Sequence, residues 1–317
     1  MEDRRVMNGY EQLRESAAWL DMSGYGEIRA TGEDRARLLN AMATNDIKSL
    51  DPGEGCYSFF LNAQGRILGD AVIFNLGESL LVHTEPETRL KLQEHLDKYI
   101  IADDVTLADE TAQWATIGLE GPESAAKLKA ISATLPSRDF GVALWGGGFV
   151  AKVSATGAPG YRMFCPATQH SHLIETLKAA GMEEADGEAI NVVRLEHGKP
   201  RYGLDITERY LVQETNQMHS VSFTKGCYLG QEIVERVRSR AQIHRILTPV
   251  RVNCRVAPAP GTKLKVDGKD VAEITSAAFS PALNEIVALA YVRVEQVQAK
   301  DEMVVDNATP IRTAYIP

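Results

Sequence analysis

The sequence predicts an α+β protein with two related, ferredoxin-like antiparallel α+β domains and a C-terminal antiparallel β-barrel. The first observation is an internal repeat: residues 28–36 and 117–125 both read as strand, glycine, acidic helix start and alanine. The second is hairpin chemistry between strand-like runs at 57–61 and 67–74, which indicates antiparallel pairing. The third is a change after Gln242 to short β-rich runs separated by Pro and Gly turns.

Strands and helices alternate through the first 110 residues. A helix is predicted at 34–42, because its apolar residues share one face and acidic residues begin it. After the hairpin, a third strand is predicted at 80–84. A helix at 87–100 follows, since Pro86 suits the first turn of a helix. Hairpin-like pairs of strands favour this arrangement over a doubly wound parallel sheet.

The second half repeats this order, with a strand at 161–165, a proline and a helix that continues to Ala180. The glycines of Trp145-Gly146-Gly147-Gly148-Phe149 predict a hairpin turn. A phosphate-binding loop needs the spacing GxxxxGK[ST] and a following helix, and this run has neither.

These elements suggest a division into three domains. We expect the first α+β domain to comprise residues 1–46 with 112–200, and the second to comprise 47–111 with 201–243. The barrel is expected at 244–317.

The composition is that of an ordinary globular protein: 317 residues, 44% hydrophobic and 24% charged. A net charge of −9 argues against stable nucleic-acid binding, and no apolar run approaches the length of a membrane helix. The four cysteines are scattered and form no CxxC pair, so we predict no metal site from this chain alone. A reducing cytoplasm is the expected location.

The segment 225–232, Lys-Gly-Cys-Tyr-Leu-Gly-Gln-Glu, concentrates the most unusual chemistry. Its glycines allow a sharp bend, and Cys227 lies just before a predicted helix that begins near Gln231. A helix N-terminus beside Lys225 would favour the reactive thiolate form. The alternative is a tight turn around a buried, inert cysteine, and the residues alone leave both open.

This octapeptide resembles the signature KGCYxGQE of the YgfZ family, the folate-binding relatives of the glycine cleavage T-protein, an aminomethyltransferase. Supporting similarity extends over nearly the whole chain, through the segments Thr44–Ile47, Leu61–Leu68, Arg194–Glu196 and Tyr202–Glu208. The resemblance implies a T-protein-like architecture of three domains, in which residues 1–243 form the region that binds tetrahydrofolate or another reduced folate.

The resemblance places a pterin-recognising glutamate at Glu196, beside Arg194. A carboxylate matches the adjacent amino and N–H groups of a pterin with two charge-assisted hydrogen bonds. The alternative is a structural ion pair between the two side chains. The resemblance also places a carboxylate that acts near the folate nitrogen at Asp70. The aminomethyltransferases carry a second aspartate before it, where this chain has Gly69, and the glycine counts against full aminomethyl transfer.

Four more residues are expected to contribute to cofactor binding: Tyr161, Asn45, Lys225 and Gln231. The polar residues that alternate between Arg236 and His244 share one face if that piece is extended, where they could meet the folate glutamate tail or an RNA phosphate. If the piece is helical, they form a solvated surface.

The function that the resemblance implies is support of iron–sulfur cluster assembly or repair, including enzymes that modify tRNA. Cys227 would be the functional thiol, and iron–sulfur client or assembly proteins would be partners. The alternative is a folate-dependent aminomethyltransferase, in which Asp70 acts as the catalytic carboxylate. An RNA-binding module is a third hypothesis, against which the acidic total charge argues.

Overall fold

The computed structural model describes residues 7–240, 243–252, 254, 256–299, 303–305 and 309–311. The helices, in chain order, are α1 Tyr10–Glu15, α2 Arg35–Met42, α3 Arg89–Asp97, α4 Ser124–Ala130, α5 His170–Ala179, α6 Gly187–Glu196, α7 Gln231–Arg240 and α8 Val294–Ala299. The first strands are β1 Ala18–Asp21, β2 Gly26–Thr31, β3 Gly55–Leu61, β4 Ile67–Asn75, β5 Leu80–Thr84 and β6 Thr106–Asp109. They are followed by β7 Trp114–Glu120, β8 Val142–Trp145, β9 Gly148–Ala151, β10 Gly160–Pro166 and β11 Glu183–Glu184. The last strands are β12 Arg245–Val252, β13 Lys263–Val266, β14 Lys269–Ser280, β15 Glu285–Arg293, β16 Met303–Val305 and β17 Thr309–Ile311.

The chain divides into two compact units. The first comprises Met1–Leu61, Leu68–Ile190 and His219–Leu229, and the second comprises Asn62–Ile67, Asn191–Met218 and Gly230–Pro317.

The first unit contains two sheets with matching strand orders, β3-β4-β5-β2-β6 and β8-β9-β10-β7-β1, the latter extended by β11. In both, a hairpin leads to a third strand, which pairs antiparallel with the strand of the repeated segment. The predicted internal repeat and the α+β class are therefore confirmed. The predicted turn is also confirmed, since Gly146 and Gly147 connect β8 to β9 with φ of 59° and 79°.

One part of the predicted division is wrong. Residues 1–46 were expected to lie with 112–200, but β2 and α2 belong to the sheet formed by β3 to β6. Only β1 pairs with β7 in the other sheet. The crossing between sheets takes four residues in a turn closed by a hydrogen bond from Tyr25 N to Met22 O. The connection Met22-Ser23-Gly24-Tyr25 has the length and composition of an ordinary turn, so it does not stand out in the sequence as a domain boundary. The other boundaries stay predictions.

Each sheet of the first unit has one face covered by helices and one face turned to the other sheet. Strands β2 and β4 contribute Ile28 and Ile73 to a cluster with α2 and α3. Strands β7 and β10 contribute Leu119 and Met163 to a cluster with α4 and α5. A third cluster takes side chains from both sheets, and we call it the inter-sheet layer: Val72, Phe74, Leu81, Phe149, Ala151, Val153 and Phe164. Polar side chains that share these faces of the two sheets lie at its edge, which we call the margin of the layer.

The second unit is built on a six-stranded sheet, β12-β15-β14-β13-β16-β17, in which the described pairs are antiparallel. Its apolar core includes Val250, Leu264, Ile274 and Ala288. A bulge between Ile274 and Ser276 sharpens the curvature of β14. This half-barrel agrees with the C-terminal antiparallel β structure that the turn spacing predicts.

Candidate functional site

The segment 219–229 is tied to the chain that ends helix α2. The ammonium of Lys225 donates hydrogen bonds to the carbonyl oxygens of Asn40, Ala43 and Asn45, each at 2.6 Å. Carbonyls at the end of a helix lack partners within it, and a cation there also interacts favourably with the helix dipole. Burial lowers the pKa of Lys225 to about 8, so the group remains charged at pH 7.

This geometry does not support the expectation that Lys225 binds the cofactor. A lysine ammonium has three N–H donors, and all three are used on backbone carbonyls. The same bonds keep the charge on the end of α2, instead of leaving it for the thiol of Cys227. These three hydrogen bonds of Lys225, which we call the Lys225 anchor, fix the position of the octapeptide.

Other bonds extend this attachment along the segment. The backbone N–H of Leu229 donates to Ala41 O at 2.9 Å, and that of Ser222 donates to Thr44 O at 3.0 Å. The hydroxyl of Thr44 donates to Ser220 O at 2.7 Å. The segment is thus anchored at several points on both sides of its bend.

Cys227 lies between two of these anchors, Lys225 and Leu229. It is exposed and forms no disulfide, so the alternative of a buried cysteine is wrong. Gly230 follows with φ of 82° and leads into α7, as the glycine pattern predicts. The thiol is accessible on a backbone that is fixed on both sides.

Asn45 has a structural role that the sequence did not reveal. Its amide nitrogen donates to Tyr57 O at 2.9 Å and to His219 O at 3.0 Å, while its oxygen accepts from Asp46 N at 2.9 Å. The amide nitrogen therefore joins β3 to the segment 219–229, while the amide oxygen holds the local turn. This geometry does not support the expected ligand-lining role.

Asp70 has a partner that sequence reasoning missed. The hydroxyl of Tyr57 donates to Asp70 Oδ2 at 2.7 Å. Burial, reinforced by the Asp70 carboxylate, raises the pKa of Tyr57 well above its ordinary value, so the phenol stays protonated. The Tyr57 ring also stacks on His219, with ring centroids 5.4 Å apart. Tyr57 thus connects the predicted catalytic carboxylate to the beginning of the segment that carries Cys227.

Gly69 has a packing explanation. A Cβ at this position would lie 3.1 Å from the side chain of Leu92 in α3. Strand alternation turns position 69 toward the helix-covered face, whereas Asp70 shares the opposite face with Val72 and Phe74. An aspartate in place of Gly69 would therefore point into the apolar core, away from the face that presents Asp70.

Strand β10 separates two neighbouring residues. Tyr161 packs in the cluster beneath α4 and α5, so its expected role in lining the cofactor site is not supported. Arg162 extends from the opposite face, which also carries Phe164 of the inter-sheet layer. Its guanidinium carbon lies 5.8 Å from the centroid of the Tyr25 ring. A charged residue in the otherwise apolar run Tyr161–Cys165 was the signal that could have identified it.

The other candidates belong to the second unit. Arg194 donates from Nη1 to Asp205 Oδ2 at 2.7 Å and from Nε to Asn191 at 3.0 Å. The alternative of an ion pair with Glu196 is wrong: these residues are in helix α6, where a spacing of two residues places them on different faces. Arg194 therefore organises the chain around Asp205 and is not placed as a cofactor ligand.

Glu196 ends helix α6 and is only 5% exposed. Its Oε1 accepts a hydrogen bond from the hydroxyl of Ser280 at 2.6 Å. A carboxylate accepts hydrogen bonds on both oxygens, and it forms charge-assisted ones with N–H groups. This chemistry is compatible with the predicted pterin recognition.

The segment after the octapeptide is helical. Gln231, predicted to bind the cofactor, is the half-buried first residue of α7. Arg236 and Arg238 are exposed on the same helix, so the extended arginine face is wrong and the solvated helix is confirmed. Gln242 lies outside the described residues, and His244 precedes β12.

Two observations concern the described residues as a whole. Within that part of the chain, no group of three or more His, Cys, Asp and Glu side chains is arranged to hold a metal ion. Among the residues placed by the structure, no helix combines the length and apolar character needed to cross a bilayer.

Comparisons with known proteins agree with this architecture. Residues 3–225 match the family model of the GCVT N-terminal domain, and residues 245–314 match that of the glycine cleavage T-protein C-terminal barrel domain. An aminomethyltransferase of Rubrobacter xylanophilus is 28% identical over 97% of this chain and 84% of its own length. One of Cutibacterium acnes is 30% identical over 89% of this chain and 81% of its own length.

The crystal structure of the glycine cleavage system aminomethyltransferase T from Bartonella henselae has the same fold. Its TM-score is 0.85 at 21% identity, over 96% of this chain and 87% of that chain. Two family models in consecutive order, which together span most of the sequence, show that this chain belongs to the glycine cleavage T-protein family.

Proposed function

We propose that this protein binds a reduced folate, such as tetrahydrofolate, and supports the assembly or repair of iron–sulfur enzymes, including those that modify tRNA. Membership of the T-protein family and the buried carboxylate of Glu196 support the folate part. The exposed thiol of Cys227, held between the anchors at Lys225 and Leu229, is the observation that carries the second part. The proposed location is the cytoplasm, where thiols stay reduced.

Glu196→Gln should weaken the binding of tetrahydrofolate by about 10- to 100-fold, since it replaces one or two charge-assisted hydrogen bonds with neutral ones. The glutamine oxygen can still accept from Ser280, so the fold should be preserved. Calorimetric titration with several reduced folates measures the effect.

Glu188→Gln is the matched control, because Glu188 is exposed on the same helix. Equal affinities in wild type and Glu196→Gln would exclude pterin recognition by Glu196. No binding of any reduced folate to the wild type would exclude the folate part of the proposal.

Cys227→Ala should abolish the ability of the gene to restore iron–sulfur enzyme activities in a strain that lacks the native protein. The methyl group of alanine removes the only proposed reactive atom and leaves the backbone anchors intact. Cys254→Ala is the control, because that thiol belongs to the other unit and donates to Val256 O. Full restoration by Cys227→Ala would show that the thiol role is wrong.

The second candidate function is folate-dependent aminomethyl transfer. The placement of position 69 on the helix-covered face favours it, because the glycine there removes no group from the face that carries Asp70 and Tyr57. The purified protein, given a lipoyl carrier with its aminomethyl group and tetrahydrofolate, would then release ammonia. Absence of ammonia release would eliminate this candidate without affecting the test of Cys227.

A further inference from the structure

Arg162 occupies an unusual position for an arginine. It is 8% exposed, and its strand neighbour on the same face is Phe164 of the inter-sheet layer. Asp70 points to this layer from the opposite sheet, since it shares a face with Val72 and Phe74. A charged guanidinium is thus placed at the margin of the same layer as the carboxylate of Asp70.

The protein leaves this guanidinium without adequate partners. Its Nε is buried and has no hydrogen-bond partner among the described residues, and none of the ion pairs within them includes Arg162. The Tyr25 ring contributes only a cation–π contact. A buried guanidinium without direct hydrogen-bond partners costs several kcal/mol, so such a group is rare unless something else satisfies it.

A buried acid–base pair that interacts electrostatically with Arg162 does not hydrogen-bond it. Glu27 and His83 face each other on β2 and β5, with Oε1 and Nδ1 2.7 Å apart, and Thr116 of the other sheet donates to the same carboxyl oxygen. Burial raises the pKa of Glu27 well above its ordinary value and lowers that of His83 well below. Neither side chain forms a hydrogen bond or an ion pair with Arg162 within the described residues, so this pair does not serve as a direct partner of the guanidinium.

The pair also has polar atoms without partners. Glu27 Oε2 and His83 Nε2 are buried and form no hydrogen bond within the described residues. Together with Arg162 Nε, three polar atoms from three strands are unsatisfied around Tyr25, which stacks on His83 with ring centroids 5.3 Å apart. Water could satisfy these hydrogen bonds, whereas a carboxylate would satisfy the guanidinium with charge-assisted ones.

We infer that Arg162 is the binding group for a carboxylate of a small ligand at the margin of the inter-sheet layer. The planar guanidinium matches a carboxylate with two parallel hydrogen bonds. Two sources supply this chemistry. One is the glutamate tail of a folate, in which case the inference rests on the proposed function, and the other is a free small carboxylate such as formate or acetate.

The structure gives a reason to consider the glutamate tail of folate as the ligand of Arg162. The arginines of α7, which the sequence suggested for the glutamate tail, are exposed on a helix and share no extended face. Arg162 is the buried alternative. Arg236→Gln is therefore the matched control for Arg162→Gln, because Arg236 is one of the exposed arginines that the sequence offered as an alternative for the tail.

The experiment compares calorimetric binding of tetrahydrofolate with that of its glutamate dimethyl ester, in wild type, Arg162→Gln, Arg162→Lys and Arg236→Gln. A second arm measures the melting temperature of the same proteins with added formate or acetate. Arg162→Gln removes a buried unpaired charge, so we expect it to fold. Arg162→Lys keeps the positive charge but loses the planar pair of N–H donors. It should therefore show only part of the preference for the diacid over the ester.

If the tail is the source, wild type binds the diacid about 10- to 100-fold more tightly than the ester. Arg162→Gln removes this preference and Arg236→Gln retains it. If a free carboxylate is the source, formate or acetate raises the melting temperature of wild type and of Arg236→Gln, but not of Arg162→Gln.

The inference is overturned if wild type binds diacid and ester equally and neither small carboxylate changes its melting temperature. It is also overturned if Arg162→Gln behaves as wild type in both arms. Failure of all folates to bind contradicts the proposed function instead, and the small-carboxylate arm still decides the role of Arg162.

Discussion

Lys225→Met should lower the free energy of unfolding of the first unit by about 2 to 4 kcal/mol. The methionine fills similar space but donates no hydrogen bond. The carbonyls of Asn40, Ala43 and Asn45 would then lose the ammonium that now satisfies them at 2.6 Å each. Unsatisfied carbonyls in a partly buried site are costlier than the mean value of a hydrogen bond suggests, because each one loses water on folding.

Urea unfolding followed by tryptophan fluorescence measures this effect directly. The three tryptophans, Trp19, Trp114 and Trp145, all lie in the first unit, so their signal reports on that unit. Lys48→Met is the matched control, because Lys48 is exposed and close in sequence to the same carbonyls. Equal urea midpoints for Lys225→Met and wild type would show that the hydrogen bonds of Lys225 do not stabilise this unit.

The hydrogen bonds of Lys225 also matter for the proposed role of the Cys227 thiol. Lys225→Met retains the thiol of Cys227 but removes one of its two flanking anchors. We therefore expect this variant to restore iron–sulfur enzyme activities less well than wild type even at temperatures where it is folded. Such a result would separate positioning of the thiol from its presence.

Asp205→Asn should destabilise the second unit by about 3 to 5 kcal/mol. Asp205 is 0% exposed. Its carboxylate accepts hydrogen bonds from Arg194, from the backbone of Arg201 and from the hydroxyls of Thr275 and Ser276. The asparagine leaves the buried guanidinium of Arg194 without its counter-ion and presents an amide donor to groups that now donate.

Scanning calorimetry is suited to this variant, because the second unit contains none of the tryptophans. The control is Asp270→Asn, since Asp270 is exposed in the same unit. Adding Arg194→Met gives a double-mutant cycle, in which the double variant should lose less than the sum of the two single variants. Simple additivity would show that the two side chains are not energetically coupled.

Several features followed from local sequence because their causes are local. The turn at Gly146 and Gly147 depends on backbone angles that glycine adopts without strain, and strand, glycine and helix start recur in each half. The bend before α7 follows from Gly230 in the same way. Each of these signals lies within a few residues of the structure that it specifies.

The errors concern contacts between residues far apart in the chain. Lys225 was expected to bind the cofactor and to favour the thiolate of Cys227, but its partners are carbonyls some 180 residues earlier. Tyr161 was expected to line the cofactor site, but it packs beneath α4 and α5, and its neighbour Arg162 projects from the opposite face of β10. Which face meets a helix and which meets the other sheet depends on packing, and alternation alone does not decide it.

By itself, the sequence determined the elements, their antiparallel pairing, the internal repeat and the β-rich C-terminal part, because these depend on periodicity and turn chemistry. Only the tertiary structure decided that Lys225 closes the end of α2 and that Tyr57 holds Asp70. It also decided that the Nε of Arg162 is buried with no hydrogen-bond partner among the described residues. Hydrogen bonds and charges are satisfied in three dimensions, and the residue that satisfies a buried group is seldom its neighbour in the chain.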